Sequence, residues 1–148
     1  WDWNHNVALP RMLGNTPLED QGIVFEHEAI RLPSGLTIQY PNLQCIDGEW
    51  TWGMNGVHHY IYGGKLQENI VQALAQEVCK YFMLQMRHEF AGIARIVHQV
   101  HDEIIILCRQ QDAQQVMRRA IEIMSEAPWW CPDLPVRAEG GFAKEYSK

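Results

Sequence analysis

The sequence predicts an α+β fold, an antiparallel sheet with helices on one face. Three observations carry that prediction. Short runs of alternating polarity flank Pro33-Ser34-Gly35 and Asp47-Gly48, residue pairs and triplets suited to tight turns. A single apolar stripe with three- and four-residue steps runs through residues 65–90. Two further β-branched and aliphatic runs, 94–100 and 104–109, are separated only by His101-Asp102-Glu103. Hairpins, long helix, hairpin and helix in that order place helices against one face of an antiparallel sheet.

In chain order, residues 1–22 contain Pro10, Gly14, Asn15, Pro17 and Gly22 without a sustained period, and are expected to be irregular apart from one helical turn. A hairpin over 29–32 and 36–40 follows, then a second over 43–46 and 49–52, with 57–62 as a further strand or extended lead-in. Gly63-Gly64 breaks the chain before the long helix, whose buried stripe is Leu66, Ile70, Ala73, Leu74, Val78, Tyr81 and Leu84. Gly92 ends it. Asp112 opens the next helix with Gln115 as a capping-box partner, Val116, Met117, Ala120, Ile121, Ile123 and Met124 form its buried side, and Pro128 stops it. An aromatic loop at Trp129-Trp130 leads to a last strand over 134–139.

The 148 residues amount to about one domain, and 47% hydrophobic with 20% charged residues is ordinary for a soluble globular chain. A formal charge of −6 argues against a self-sufficient nucleic-acid binder, though not against one part of a larger assembly. Cys45, Cys79, Cys108 and Cys131 are dispersed without a C-x-x-C pair, which disfavours a zinc site and a disulfide framework and suits reduced, cytoplasmic thiols. No stretch is long and apolar enough to span a membrane. A chain that opens on Trp1 rather than Met is expected to be processed, trimmed or excised from something longer.

The chemistry concentrates at the turn of the third hairpin. Two adjacent carboxylates beside a histidine, between two apolar strands, need compensation for their charge. Hard divalent ions such as magnesium prefer carboxylate oxygens, keep several waters, and bind through one or two protein carboxylates plus substrate phosphates. A hairpin ladder holds such oxygens at a defined point, which suits two-metal phosphoryl transfer. The plain alternative is a polar, solvated turn.

Val100-His101-Asp102-Glu103 followed by an aliphatic strand resembles motif C of the family A DNA polymerases, the group of bacterial DNA polymerase I and many bacteriophage replicases. Three further segments resemble phage-type members of that family in the same order: Ile30-Arg31-Leu32-Pro33-Ser34-Gly35, the helix start Gly63-Gly64-Lys65-Leu66-Gln67-Glu68-Asn69-Ile70-Val71-Gln72-Ala73, and the tail Leu134-Pro135-Val136-Arg137-Ala138-Glu139-Gly140-Gly141. The resemblance implies that residues 1–27 are an irregular connection from the fingers side and 28–148 the C-terminal portion of the palm. It also implies that Asp102 binds magnesium, that Glu103 tunes the metal site, and that His101 contacts the primer end. Gln72 would reach the DNA minor groove near the primer terminus, with Lys65 and Asn69 as phosphate or template contacts. The implied partners are primer–template DNA, dNTPs and the remainder of the polymerase, in cis or in trans. The implied setting is DNA replication in the cytoplasm, that of the host if phage-encoded.

The chain departs from the family in lacking motif A, the Asp-x-Ser-x-x-Glu strand that brings the second metal-binding carboxylate, and the fingers helix with its Arg and Lys. One half of a two-metal site cannot act alone, so the isolated chain is expected to be inactive. The other reading is a non-catalytic α+β domain that binds nucleic acid or protein and keeps a decayed polymerase hairpin. His58 and His59, as strand neighbours, point to opposite faces and cannot jointly hold one ion. The tryptophans Trp1, Trp3, Trp50, Trp52, Trp129 and Trp130 are read as core and loop packing.

Overall fold

Turn chemistry sets most of the strand pairings. In the computed structural model, Gln21-Gly22, Asp47-Gly48 and Asn55-Gly56 each hold positive φ at both residues, between 50° and 83°. They close two-residue loops between the paired positions Asp20 and Ile23, Ile46 and Glu49, and Met54 and Val57. That backbone matches the right-handed twist of the flanking strands, and glycine adopts it without a Cβ penalty. The structure describes residues 2–146, in two units, Trp1–Leu74 and Ala75–Lys148. The class is α+β, and the antiparallel strands are distributed over three sheets.

In the first unit a π-helical turn, Asn4–Ala8, runs into α1 (Leu9–Leu13). Strands β1 (Leu18–Asp20), β2 (Ile23–Glu26), β3 (Ala29–Arg31) and β4 (Thr37–Gln39) form a four-stranded meander. Strands β5 (Gln44–Ile46), β6 (Glu49–Met54) and β7 (Val57–Ile61) form a three-stranded one. The expected hairpins over 29–40 and 43–52 are present, and 57–61 is a strand. The N-terminal region is more ordered than its Pro and Gly content implied: only one face of the helical stretch is apolar, and Ala8, Leu9 and Met12 on it are fully buried against Phe25 and Ile30. The core continues through Leu32, Tyr40, Trp50 and Ile61 to Leu66 and Ile70, the first positions of the stripe on α2 (Gly63–Glu89). Gly63 and Gly64 open this helix rather than break the chain. His59 stacks on Trp52 at 4.7 Å while His58 lies opposite Gly53, so the two rings do sit on opposite faces.

In the second unit, β8 (Ala94–Val100) and β9 (Glu103–Cys108) form a two-stranded sheet, followed by a 3-10 turn, Gln110–Asp112, and α3 (Ala113–Met124). Phe82, Met86 and Phe90 of α2 pack with Val116, Ala120 and Ile123 of α3, under Ala94, Ile96, Ile104 and Ile106 of the hairpin. Three sequence expectations fail here. Leu84 is 65% exposed, because the hairpin and α3 pack on the Phe82–Met86 side, and Leu84 lies about 200° round the helix from each. Asp112 makes no side-chain cap; the preceding 3-10 turn holds it at helical angles, and its carboxylate accepts from Arg109 Nε at 2.7 Å instead. No strand forms over 134–139: Pro135 has no N–H to donate, and the Val136 N–H turns back to the Leu134 carbonyl at 2.9 Å. Of the tryptophans, Trp50 is buried, Trp3 packs edge-on to Phe25, Trp129 is 74% exposed, and Trp1 lies outside the described residues.

Tyr40 ties the first sheet to α2 through a chemical contact as well as packing. It is 1% exposed, and its hydroxyl accepts from Asn69 Nδ2 at 3.0 Å. Burial pushes its phenol above the ordinary value, partly offset by the Asn69 bond. The raised folded pKa means that the unfolded chain loses this proton first. Tyr40 therefore contributes stability fully below about pH 10 and loses it as pH rises through the folded value. Tyr40→Phe is expected to lower stability by about 1 kcal/mol at neutral pH through the lost hydrogen bond. It should also flatten the alkaline decline of the Tm. Thermal melts of both chains across that range check this, and parallel declines would contradict it.

Candidate functional site

The ladder of β8 and β9 pairs Val100 with Glu103, which leaves His101 and Asp102 as a two-residue loop at the tip. His101 takes up the turn with φ +52°, a region that non-glycine residues enter rarely and at a cost of roughly 1–2 kcal/mol. The Gln99 side chain braces it, Nε2 donating to the His101 carbonyl at 2.8 Å. Below the tip the register shifts between Ile96 and His98, so Val97 is an extra residue on β8. Such a bulge keeps both halves of the strand in step with their partner. Ile96 paired with Ile106 and Gln99 paired with Ile104 thus share a face, and the turn stands on a ribbon packed against α2 and α3.

At the tip His101, Asp102 and Glu103 are all exposed. Their carboxylates differ in what they meet. Glu103 Oε2 accepts from the Tyr146 hydroxyl at 3.0 Å, and that phenol is pushed up, first by desolvation, then by its bond to Glu103 and that carboxylate's charge. Asp102 makes no hydrogen bond or ion pair among the described residues. Its charge is nevertheless felt at Cys79 on α2, whose thiol is pushed up by burial first and by Asp102 second. Among the described residues no three His, Cys, Asp or Glu side chains converge on one point. Two adjacent carboxylates with oxygen donors only, one of them unengaged, fit a hard cation that keeps most of its waters and completes its shell elsewhere.

Lys65, Asn69 and Gln72 lie at i, i+4 and i+7 of α2 and share one helix face, within the first unit. Lys65 Nζ pairs with Glu68 at 3.0 Å across an exposed surface, a contact worth little and easily exchanged. Asn69 gives its amide N–H to Tyr40, leaving its oxygen for other use. Gln72 is exposed and unpartnered among the described residues. The two groups of predicted residues thus belong to different units. Sequence reasoning missed Tyr146 and Gln99. The first meets its partner across 43 positions, for which no local pattern exists; the second could have been noticed as a polar residue one step before a paired turn position.

The features define an α+β chain with an acidic, open hairpin turn able to take a hard cation. Comparison with known proteins adds a relative. The chain is 34% identical, over 147 aligned residues covering 91% of its length, to a DNA polymerase of Bacillus phage SP02. It spans 21% of that polymerase. No protein-family model and no solved structure matches the chain. No helix among the described residues is long and apolar enough to cross a membrane.

The turn geometry has a direct test. Glycine removes the Cβ that opposes positive φ, whereas a β-branched residue aggravates the clash. His101→Gly is expected to hold or raise the Tm, and His101→Val to lower stability by about 1–2 kcal/mol. Equal effects of the two in denaturant titrations would contradict the turn conformation.

Proposed function

We propose that this chain is the C-terminal palm portion of a family A DNA polymerase, acting in DNA replication. The observation that carries the reading is Asp102, a carboxylate without a hydrogen bond or ion pair among the described residues at the tip of an apolar hairpin, in a chain of which 91% aligns with a phage DNA polymerase.

Asp102 would hold magnesium, with Glu103 beside it as the adjustable second carboxylate. When bound, the metal supplies Lewis-acid stabilisation of phosphoryl oxygens and of the attacking oxygen during nucleotidyl transfer. The chain's own residues prepare the ground for that. The packed ribbon and the Gln99 brace fix the turn backbone, so the point from which the Asp102 side chain projects is set before substrate arrives. Tyr146 draws Glu103 to one side through its hydroxyl, leaving Asp102 as the more available ligand. His101 presents an exposed imidazole next to Asp102, where a ring N–H can donate to the sugar or phosphate of a primer end.

Gln72 would check base-pair geometry from the minor groove, where acceptors occur on every pair and one amide can probe shape without reading sequence. Lys65 can exchange Glu68 for a DNA phosphate, and the Asn69 oxygen can accept from the template. The partner carrying motif A and the fingers helix would provide the motif A carboxylate and the triphosphate contacts, so polymerisation requires it.

The experiment is reconstitution with an N-terminal polymerase segment that carries motif A, on primer–template with dNTPs and magnesium. Extension is expected only from the mixture. Asp102→Ala should lower it by at least about a hundredfold, equivalent to about 2.7 kcal/mol of transition-state stabilisation, and Glu103→Gln by less. Extension that survives Asp102→Ala would remove Asp102 from the site.

A further inference from the structure

A second feature of the Ala75–Lys148 unit lies at the far end of the hairpin from the acidic turn. A groove of about 620 Å³ opens between α2 and the start of β8. Its apolar lining includes Met83, Leu84 and Phe90, and its charged lining is Lys80, Arg87 and Arg95, with no carboxylate. In a chain of formal charge −6 this is a local reversal of sign. None of the three cations makes an ion pair or side-chain hydrogen bond among the described residues, although Arg119, Arg109 and Arg31 all do.

We propose that this groove is a docking site for an acidic amphipathic segment of a separate protein. Three observations argue for that occupant. Leu84 continues the apolar period of α2 yet is 65% exposed, so with Met83 it places apolar surface inside the groove's cationic rim. Lys80 and Arg87 bracket it, seven residues and about 10 Å apart along the axis, so the apolar centre carries a positive charge at each end. Arg95 supplies a third charge from the strand side. An apolar floor within a cationic rim complements a peptide with aliphatic or aromatic anchors flanked by Asp and Glu. A nucleic-acid backbone would satisfy the rim but leave Met83 and Leu84 against phosphates. A second copy of this chain would need its own acidic apolar surface to face three cations, and charge does not select one.

The test is fluorescence anisotropy on the full chain, with a labelled helical peptide of about 14 residues, roughly four turns, bearing Leu and Phe at i, i+3, i+4 and i+7 and Glu on its flanks. The acidic peptide is expected to bind. A version with Lys in place of Glu should bind at least about tenfold more weakly. Leu84→Asp and Arg87→Glu, both at exposed positions where circular dichroism can verify an intact fold, should each weaken binding by a similar factor. The proposal is overturned by any of four results: no binding of the acidic peptide, equal binding by the Leu84→Asp chain, displacement of the peptide by duplex DNA in an Arg87-dependent way, or a concentration-dependent dimer, seen in sedimentation, that Leu84→Asp abolishes.

Discussion

The second unit depends on one packing contact, the inner face of the β8–β9 ribbon against Phe82, Met86 and Phe90 of α2 and Val116, Ala120 and Ile123 of α3. A two-stranded ribbon is marginal in water by itself, and it becomes a fixed support only when one face is covered. The bulge at Val97 preserves that face along the whole ribbon, so the apolar residues near the base and those near the tip dock together. The polar turn is then held out from the core, and the charge problem posed by Asp102 and Glu103 is resolved by exposure. Their desolvation cost is small in the ligand-free chain because the tip is open to water.

That arrangement separates stability from function. Substitutions at Ile96, Ile104 or Ile106 act on the support, whereas the tip contributes a strained His101 and two carboxylates that pack on little. Positive φ at a non-glycine residue is tolerated here because the ladder on both sides over-determines the turn. The reading of this tip as a metal and primer contact rests on Asp102 making no hydrogen bond or ion pair among the described residues, together with the similarity to a phage DNA polymerase.

Much of this was legible in the sequence, for reasons that differ by element. The hairpins at Asp47-Gly48 and at His101-Asp102 were readable because alternation and turn residues are local signals. The helix α2 was readable from its period, but not which of its faces is covered after residue 74. Val78 and Tyr81 of the expected stripe do pack against the second core, but Phe82, Met86 and Phe90 supply its buried centre and Leu84 is left outside, a choice that only tertiary packing makes. The N-terminal helical stretch was expected only as a single turn, and β1 and β2 were missed, because prolines and glycines among them hid short apolar runs. The capping box at Asp112 failed because Arg109 competes for the same carboxylate. At the site, the acidic tip stood out as charge within apolar sequence. The contact from Tyr146 had no sequence signature, being a tertiary encounter of distant residues.

The proposed function stands or falls on whether the Asp102 carboxylate takes a divalent cation at the hairpin tip. Manganese, a paramagnetic substitute for magnesium, tests it directly by nuclear magnetic resonance of the chain alone. Substoichiometric Mn2+ is expected to broaden the amide signals of His101, Asp102 and Glu103 first, Mg2+ at about millimolar concentration to restore them, and Asp102→Asn to abolish the effect. Broadening centred elsewhere, or unchanged in Asp102→Asn, would contradict it.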